Sequence, residues 1–240
     1  MPAMLFFALT ALGLQASDPD SAPDSAADPV PALVEAYEAW AAGDLPAAGE
    51  AAASAMARLE SDGCSISPDG ARLAWILGVA ASFEAVEAPA GYWFWAAHRI
   101  ARAAGGLNGD QRRAVRRLAA EPGDWAASDA WYAHSAYLEY GLAAQDCGAP
   151  GRTLVDPAAG AGDAAYVLLD VRTNRNARVR RADLELAYPP QEGGALRDAV
   201  IGHHLSTGLN ARRVFVFHPC TELRDEAGGI VQVCRFSQRD

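Results

Sequence analysis

The closing stretch of the chain, Arg212 to Ser237, constrains the fold more than any other. It is written RRVFVFHPCTELRDEAGGIVQVCRFS, and apolar residues alternate along both of its arms. Between the arms lies a turn centred near Ala227, next to Gly228 and Gly229. Alternation on both sides of a glycine-containing turn predicts an antiparallel β-hairpin.

The hairpin places two of the four cysteines opposite each other. Cys220 and Cys234 are equally far from Ala227, so the predicted register sets them face to face. Pairing them leaves Cys64 with Cys147, and an even cysteine count in an exported chain favours disulfides. The alternative is one bridge and two free buried thiols. With Cys234 bridged, the valines of the last strand are expected to face the core.

The residues before the hairpin complete a small α+β layer. Two strand-like runs in AYVLLDVRTNRNARVRRADLELAYPP surround a turn at Thr173 to Asn176. The segment GALRDAVIGHHLSTGLNA, residues 194–211, has helical spacing of its leucines and valines. The predicted order is strand, strand, helix, strand, strand, with one helix covering an antiparallel sheet.

The first half of the chain is rich in alanine and predicts paired helices. A first pair is interrupted at Gly43 and Asp44, a second ends at Gly105, and a third is divided at Pro122. Small residues such as Ala36 and Ala48 allow the helices of a pair to pack closely. The fold class is therefore α+β in two domains, an all-α domain of helical hairpins followed by a small antiparallel sheet with one helix.

An aromatic run lies within the second helical pair. Tyr92, Trp93, Phe94 and Trp95 are consecutive, and four consecutive residues of a helix cannot all face one core. The simpler interpretation is core packing between alanine-rich helices. The alternative is a peptide-binding groove that uses Tyr92, Trp93 and Trp95.

The amino terminus predicts export. An apolar run from Met4 to Leu14 is shorter than the about twenty residues of a membrane-spanning helix and suits a signal peptide cleaved after Ala16. An internal start or a cytoplasmic protein with an apolar end is the alternative. No other stretch reaches membrane-spanning length, so no transmembrane span is expected in the mature chain, which we place in the periplasm or outside the cell.

The charge of the chain argues against a nucleic-acid partner. The net charge is −10, and phosphate backbones require a basic face. Residues 17–150 hold nineteen acidic residues and eight arginines, and residues 151–240 hold eleven and twelve, so the two parts carry −11 and +1. Arg112, Arg113, Arg116 and Arg117 form a basic helix face, which we interpret as solvated.

These patterns divide the chain into five predicted segments. They are a signal peptide at 1–16, a disordered acidic tether at 17–29, a helical domain at 30–146, a Gly- and Pro-rich linker at 147–163 and the α+β domain at 164–240.

Two family resemblances follow from these residues. The small residues of the first helical pair, with a looser copy at Leu77, Gly78 and Ala97, resemble tetratricopeptide repeats. Residues 164–236, through VLLDVRTNRNARV, RRVFVFHPC and a last strand ending in Phe236, resemble the carboxy-terminal domain of TonB. That resemblance implies a module that binds an extended partner segment by strand addition, without extending to a membrane anchor or a Pro-rich spacer.

No residue pattern predicts catalysis. His203 and His204 are adjacent, so on a helix they point about 100° apart and do not share a metal. No nucleophile motif and no phosphate-binding glycine loop is present in the sequence, so we expect no catalytic residues, no cofactor and no metal site. An enzyme is therefore the least favoured hypothesis.

The predicted function is an exported protein-binding adaptor. Its partner-binding strand holds Ile230, Val231, Gln232 and Val233, and its partner is an unidentified protein or peptide, linked by the resemblance to outer-membrane transport. The alternative is a tetratricopeptide-like peptide-binding scaffold in which the last domain is structural.

Overall fold

The computed structural model describes residues 30–83, 90–119, 144–145, 147, 153–157, 164–205, 210–224 and 230–239. Its helices are α1 (Val30–Ala42), α2 (Leu45–Ser61), α3 (Pro68–Phe83), α4 (Ala90–Ala104), α5 (Gly109–Leu118) and α6 (Gly193–Val200). Its strands are β1 (Ala165–Thr173), β2 (Val179–Tyr188), β3 (Ala211–Arg224) and β4 (Ile230–Arg239). The fold is α+β, as predicted, with helices in the first half and one antiparallel sheet in the second. The predicted signal peptide and tether lie outside the described residues.

The first helical pair forms where the sequence predicts it. Gly43 has a φ of +80° and ends α1, and the Asp44 carboxylate accepts a hydrogen bond from the Ala47 amide at 3.1 Å to begin α2. The small residues between the helices are almost fully buried: Ala36, Ala48, Ala52 and Ala55. Their size lets α1 and α2 pack side by side.

The second pair, α3 and α4, packs through Gly78. A Cβ atom at Gly78 would lie 2.7 Å from the Phe94 ring, so only glycine fits there. Gly105 and Gly106, with φ of +83° and +97°, end α4 as predicted. Of the predicted third pair the structure describes the first helix, α5, which begins at a capping box between Asn108 and Gln111.

The four strands have the order β2-β1-β3-β4, and each neighbouring pair is antiparallel. In the turn between β1 and β2 the Asn174 side chain accepts hydrogen bonds from the Asn176 and Arg178 amides at 2.9 and 3.0 Å. The left-handed residue of this turn is Ala177, with a φ of 56°, and not an asparagine.

The sheet is a middle layer with apolar contacts on both faces. On one face the buried side chains Val167, Leu169, Val171, Phe215 and Phe217 pack with Val200 of α6. On the other face Tyr166, Leu168, Leu186, Tyr188 and Val214 belong to, or pack against, the core of the helical half. The helical half and the sheet therefore share a core.

The predicted linker contributes to that shared core. Leu154 is 8% exposed and packs within the helical cluster, although its neighbours 158–163 lie outside the described residues. The expectation that residues 147–163 have little to pack does not hold at Leu154, because one leucine among small residues finds an apolar surface between the helices and the sheet.

The helix predicted over residues 194–211 is shorter than expected. It ends at Val200, and Gly202 turns the chain with a φ of +86°. The next residues pair with the turn after β1, since the Val179 amide donates to the His203 carbonyl and the Leu205 amide donates to the Ala177 carbonyl, both at 2.9 Å. His203 and His204 are thus not helical, because backbone pairing with the sheet competes with continuation of the helix.

Candidate functional site

The outer side of β4 is the candidate site. This strand ends the sheet and pairs with β3 alone, so no described residue pairs with its second side. Its first four residues, Ile230, Val231, Gln232 and Val233, are the predicted partner-binding residues; their backbones pair with residues 224 to 221 of β3, and their side chains lie outside the described set. On such a strand alternate residues direct their N–H and C=O groups away from the sheet.

The register of the hairpin is centred as predicted. Thr221 pairs with Val233 and Arg224 with Ile230, which is symmetric about Ala227. Beyond these pairs the register shifts, so that Pro219 and Cys220 on β3 stand against the single residue Cys234 on β4. This is a β-bulge, and proline is tolerated in a bulge because it needs no ladder hydrogen bond.

The predicted bond between Cys220 and Cys234 lies outside the described side chains. The other predicted pair is brought together: the sulfur atoms of Cys64 and Cys147 lie within bonding distance, and their Cα atoms are 5.7 Å apart. That separation falls in the usual range of disulfides. The bridge connects the end of α2 to a residue 83 positions later in the chain.

One aromatic side chain fixes the far end of β4. The Phe236 ring lies 5.1 Å from the Phe217 ring, 5.6 Å from the Phe215 ring and 4.7 Å from the His203 ring. Phe236 thus faces α6, while Arg235 is exposed. The side chains of Val231 and Val233, which are expected to face the core, lie outside the described set, and at this end of β4 it is Phe236 that packs against the sheet core.

The opposite edge, β2, is covered. The Arg117 guanidinium of α5 donates a hydrogen bond at 2.8 Å to the backbone carbonyl of Glu185 and also approaches the Glu185 carboxylate at 3.8 Å. Glu185 is the extra residue of a bulge, since Leu168 pairs with Leu186 and Leu169 pairs with Leu184. An outward backbone acceptor of β2 is therefore already occupied.

The end of β2 is also buried. Tyr188 is 1% exposed, and its hydroxyl donates a hydrogen bond at 2.9 Å to the Trp40 carbonyl in α1. Burial raises the pKa of Tyr188, and the nearby Asp44 carboxylate raises that pKa further. Pro189 and Pro190 follow directly, and proline offers no backbone donor to an incoming strand.

A cleft of about 360 Å³ lies between α5 and β2. Its polar lining includes Asn108, Asp110, Gln111 and Asp156. Burial raises the pKa of Asp156, and the Asp110 carboxylate adds to the effect. The described lining holds no Ser, Cys, His or Lys, and its ionisable acidic groups are Asp110, Asp156 and Glu185. A group of three or more His, Cys, Asp or Glu that could hold a metal is not found among the described residues.

The predicted aromatic groove is mostly core. Tyr92 and Phe94 are 3% and 1% exposed, whereas Trp93 and Trp95 are half-buried against the helical cluster. The Tyr92 ring lies 4.9 Å from that of Trp93 and 6.4 Å from that of Trp95. Two indole groups thus keep part of their surface exposed.

Sequence reasoning found β4 but missed the contrast between the edges. Alternation reveals a strand without revealing its place in the sheet, and Arg117 and Glu185 are 68 positions apart.

Comparison with protein-family models, with curated proteins and with solved structures finds no match to this chain. In the described part of the chain, every helix is too short or too polar to cross a membrane.

Proposed function

We propose that this protein binds an extended segment of a protein partner by adding it to β4 as a fifth strand. The observation that supports this most is the difference between the two edges: among the described residues β4 pairs with β3 alone, whereas the Glu185 carbonyl of β2 accepts a hydrogen bond from Arg117. Strand addition relies on backbone hydrogen bonds, which a free edge supplies without a specialised pocket.

The charge of β4 suggests the character of the partner segment. The strand holds Arg235 and Arg239 and no acidic residue. Like charges opposite each other on neighbouring strands are unfavourable, and opposite charges are favourable. The proposed partner therefore carries Asp or Glu where its strand lies next to these arginines.

The setting of this activity is part of the proposal. Residues 1–16 direct the chain to the periplasm or beyond, the helical half is a tetratricopeptide-like platform, and residues 164–240 are a TonB-like module serving an outer-membrane transport partner. The order strand, strand, helix, strand, strand supports the module, and the pairing of Cys64 with Cys147 suits an oxidising compartment.

The test begins with selection of peptides that bind the intact protein from a random displayed library. Each selected peptide is then resynthesised with N-methyl groups on alternate residues, in both phases. Strand addition predicts that one phase abolishes binding and the other has little effect, because only one set of peptide amides faces β4. Equal binding of the two methylated peptides would contradict strand addition.

Substitutions in β4 locate the site. Gln232→Pro and Val233→Pro lie in opposite phases, so one removes an outward donor while the other breaks the ladder with β3. The variant that keeps the wild-type circular dichroism spectrum should lose the peptide, and the control Gln232→Ala should retain it. Retention of the peptide by that folded proline variant would exclude β4.

A second candidate function is peptide binding at α4, which the exposed parts of Trp93 and Trp95 favour. Exposed indole groups provide apolar contact area for a peptide. Trp93→Ala and Trp95→Ala should then weaken binding at least about tenfold while Gln232→Pro has no effect, which is the reverse of the pattern expected for strand addition.

A further inference from the structure

A second surface, independent of β4, is a basic groove between α4 and α5. The groove has a volume of about 550 Å³, and its described lining is His98, Ala101, Arg102, Arg112 and Arg116. Four of these five residues carry, or can carry, a positive charge. The volume lies in the range of pockets that hold small ligands, roughly 300 to 1,000 Å³.

The arginines of this basic groove differ from their neighbours in having no carboxylate partner in the part of the chain that the structure describes. On the same helix, Arg113 forms an ion pair with Asp110, and Arg117 approaches Glu185. The described residues place no carboxylate within salt-bridge distance of Arg102, Arg112 or Arg116. The basic face of α5, which we predicted to be one solvated surface, is therefore divided. Arg113 and Arg117 lie next to carboxylates, and Arg112 and Arg116 line the groove.

The groove brings the arginines of both helices together beside His98. Burial lowers the pKa of His98, and Arg116, Arg102 and Arg99 lower it further, in that order. Arg116 belongs to α5 and the other two to α4, so the positive field at His98 comes from both helices. Like charges held together destabilise the fold unless an anion lies between them.

The basic groove lies in a half of the chain that is otherwise acidic. Residues 17–150 carry −11, so a long-range attraction of anions to this half of the chain is not expected. A local set of three guanidinium groups nevertheless offers paired N–H donors that match phosphate oxygens. Single monovalent anions neutralise only part of such a cluster, whereas one multiply charged group neutralises most of it.

We propose that the basic groove binds a multiply charged phosphate group, either on a small soluble molecule or on a lipid headgroup. Arg102 and Arg112 hold the group from the two helices, Arg116 adds a third cation, and His98 donates a hydrogen bond. This site is separate from the strand-addition edge, so neither proposal depends on the other.

The experiment is calorimetric titration of the full-length protein with inorganic pyrophosphate at constant ionic strength. Wild type should bind saturably, and Arg102→Gln with Arg116→Gln together should weaken binding at least about tenfold, since two charge-assisted contacts are lost. Arg180→Gln, at an exposed arginine of β2, should bind like wild type. No saturable binding, or equal losses in the double variant and the Arg180 control, would overturn the proposal.

A nuclear magnetic resonance titration of His98 supplies a second readout that does not depend on folding differences. Bound pyrophosphate should raise the pKa of His98, because it offsets the positive field of Arg116, Arg102 and Arg99. An unchanged His98 pKa at saturating pyrophosphate would place the anion elsewhere and overturn the site.

Vesicles distinguish the two sources of phosphate. For a protein that binds pyrophosphate, additional binding to phosphatidic acid vesicles but not to phosphatidylcholine vesicles, with loss in the double variant, would identify a lipid headgroup. Pyrophosphate binding with no vesicle binding would identify a soluble ligand.

Discussion

The two edge strands of the described sheet, β2 and β4, differ in how far other elements cover their outer backbone groups. An edge strand has unpaired backbone groups that attract other strands, and proteins cover such edges with bulges, prolines, charges or neighbouring elements. β2 has a bulge at Glu185, two following prolines and a hydrogen bond from Arg117. Within the described residues, β4 pairs with β3 alone.

The difference indicates that β4, and not β2, is the edge whose described backbone groups remain available to another strand. β4 does carry two arginines, Arg235 and Arg239, which repel a second copy of the same strand. Under the proposed function the same charges favour an acidic partner strand. In the proposed function the β2 edge contributes to the fold and the β4 edge to recognition, which leads to distinct expectations for substitutions on each side.

The largest expected effect is at the buried end of β2. Tyr188→Ala should lower the free energy of unfolding by about 3 to 5 kcal/mol, since it leaves a cavity between α1 and the sheet. Tyr188→Phe removes only the hydroxyl that bonds the Trp40 carbonyl and should cost about 1 kcal/mol. Urea unfolding measures both. A loss below about 1 kcal/mol for Tyr188→Ala would mean that the covered edge is not held by the shared core.

The next effect concerns the packing of α6 on β2. A Cβ atom at Gly193 would lie 2.7 Å from a Leu184 methyl and 2.8 Å from the Ala187 Cβ, whereas one at Gly194 would meet nothing within 4 Å. Gly193→Ala should therefore cost about 1 to 3 kcal/mol. Gly194→Ala is the matched control and should be neutral or stabilising by up to about 1 kcal/mol. Similar thermal stabilities of the two variants would contradict the close approach of α6 to β2.

Removal of the cover on β2 should have a smaller effect on stability. Arg117→Ala loses an exposed ion pair and one hydrogen bond, so we expect a decrease of at most about 1 kcal/mol in the free energy of unfolding. The variant should however gain weak self-association if the β2 edge is freed, which analytical ultracentrifugation detects. Arg113→Ala, which removes an ion pair away from the strand, should remain unchanged in that measurement.

The smallest effect is a pH dependence in the cleft beside β2. The pKa of Asp156 is raised above its usual 3.8 by burial, so ionisation destabilises the fold as the pH rises through the folded pKa. Asp156→Asn should thus be more stable than wild type at pH 7, and the difference should disappear below pH 3.8, where the carboxyl is protonated in both states. Thermal unfolding at pH 7 and pH 3 tests this. An equal difference at both pH values would assign the effect to packing.

Local patterns predicted the parts of the fold that depend on neighbours in sequence. Alternation about Ala227 gave the hairpin register, and Gly43 gave the end of α1. The end of α6 was not predictable from helical spacing, because pairing of His203 and Leu205 with the distant turn after β1 overrides it.

The candidate site was predictable only in part. The sequence identifies β4 as a strand, but its edge position depends on β1 pairing with β3, at least 40 residues away. The division of the arginines on α5 into two groups was likewise not predictable, because helical spacing shows which residues share a face but not what that face contacts. Contacts between distant segments decided both outcomes.

The most direct test of the central claim is hydrogen exchange of the backbone amides with and without a selected peptide, resolved by residue. We predict that the peptide slows exchange at alternate amides of β4 and leaves β2 unchanged. Protection on β2, or around Trp93 with none on β4, would contradict the proposal that β4 is the edge at which this protein accepts its partner.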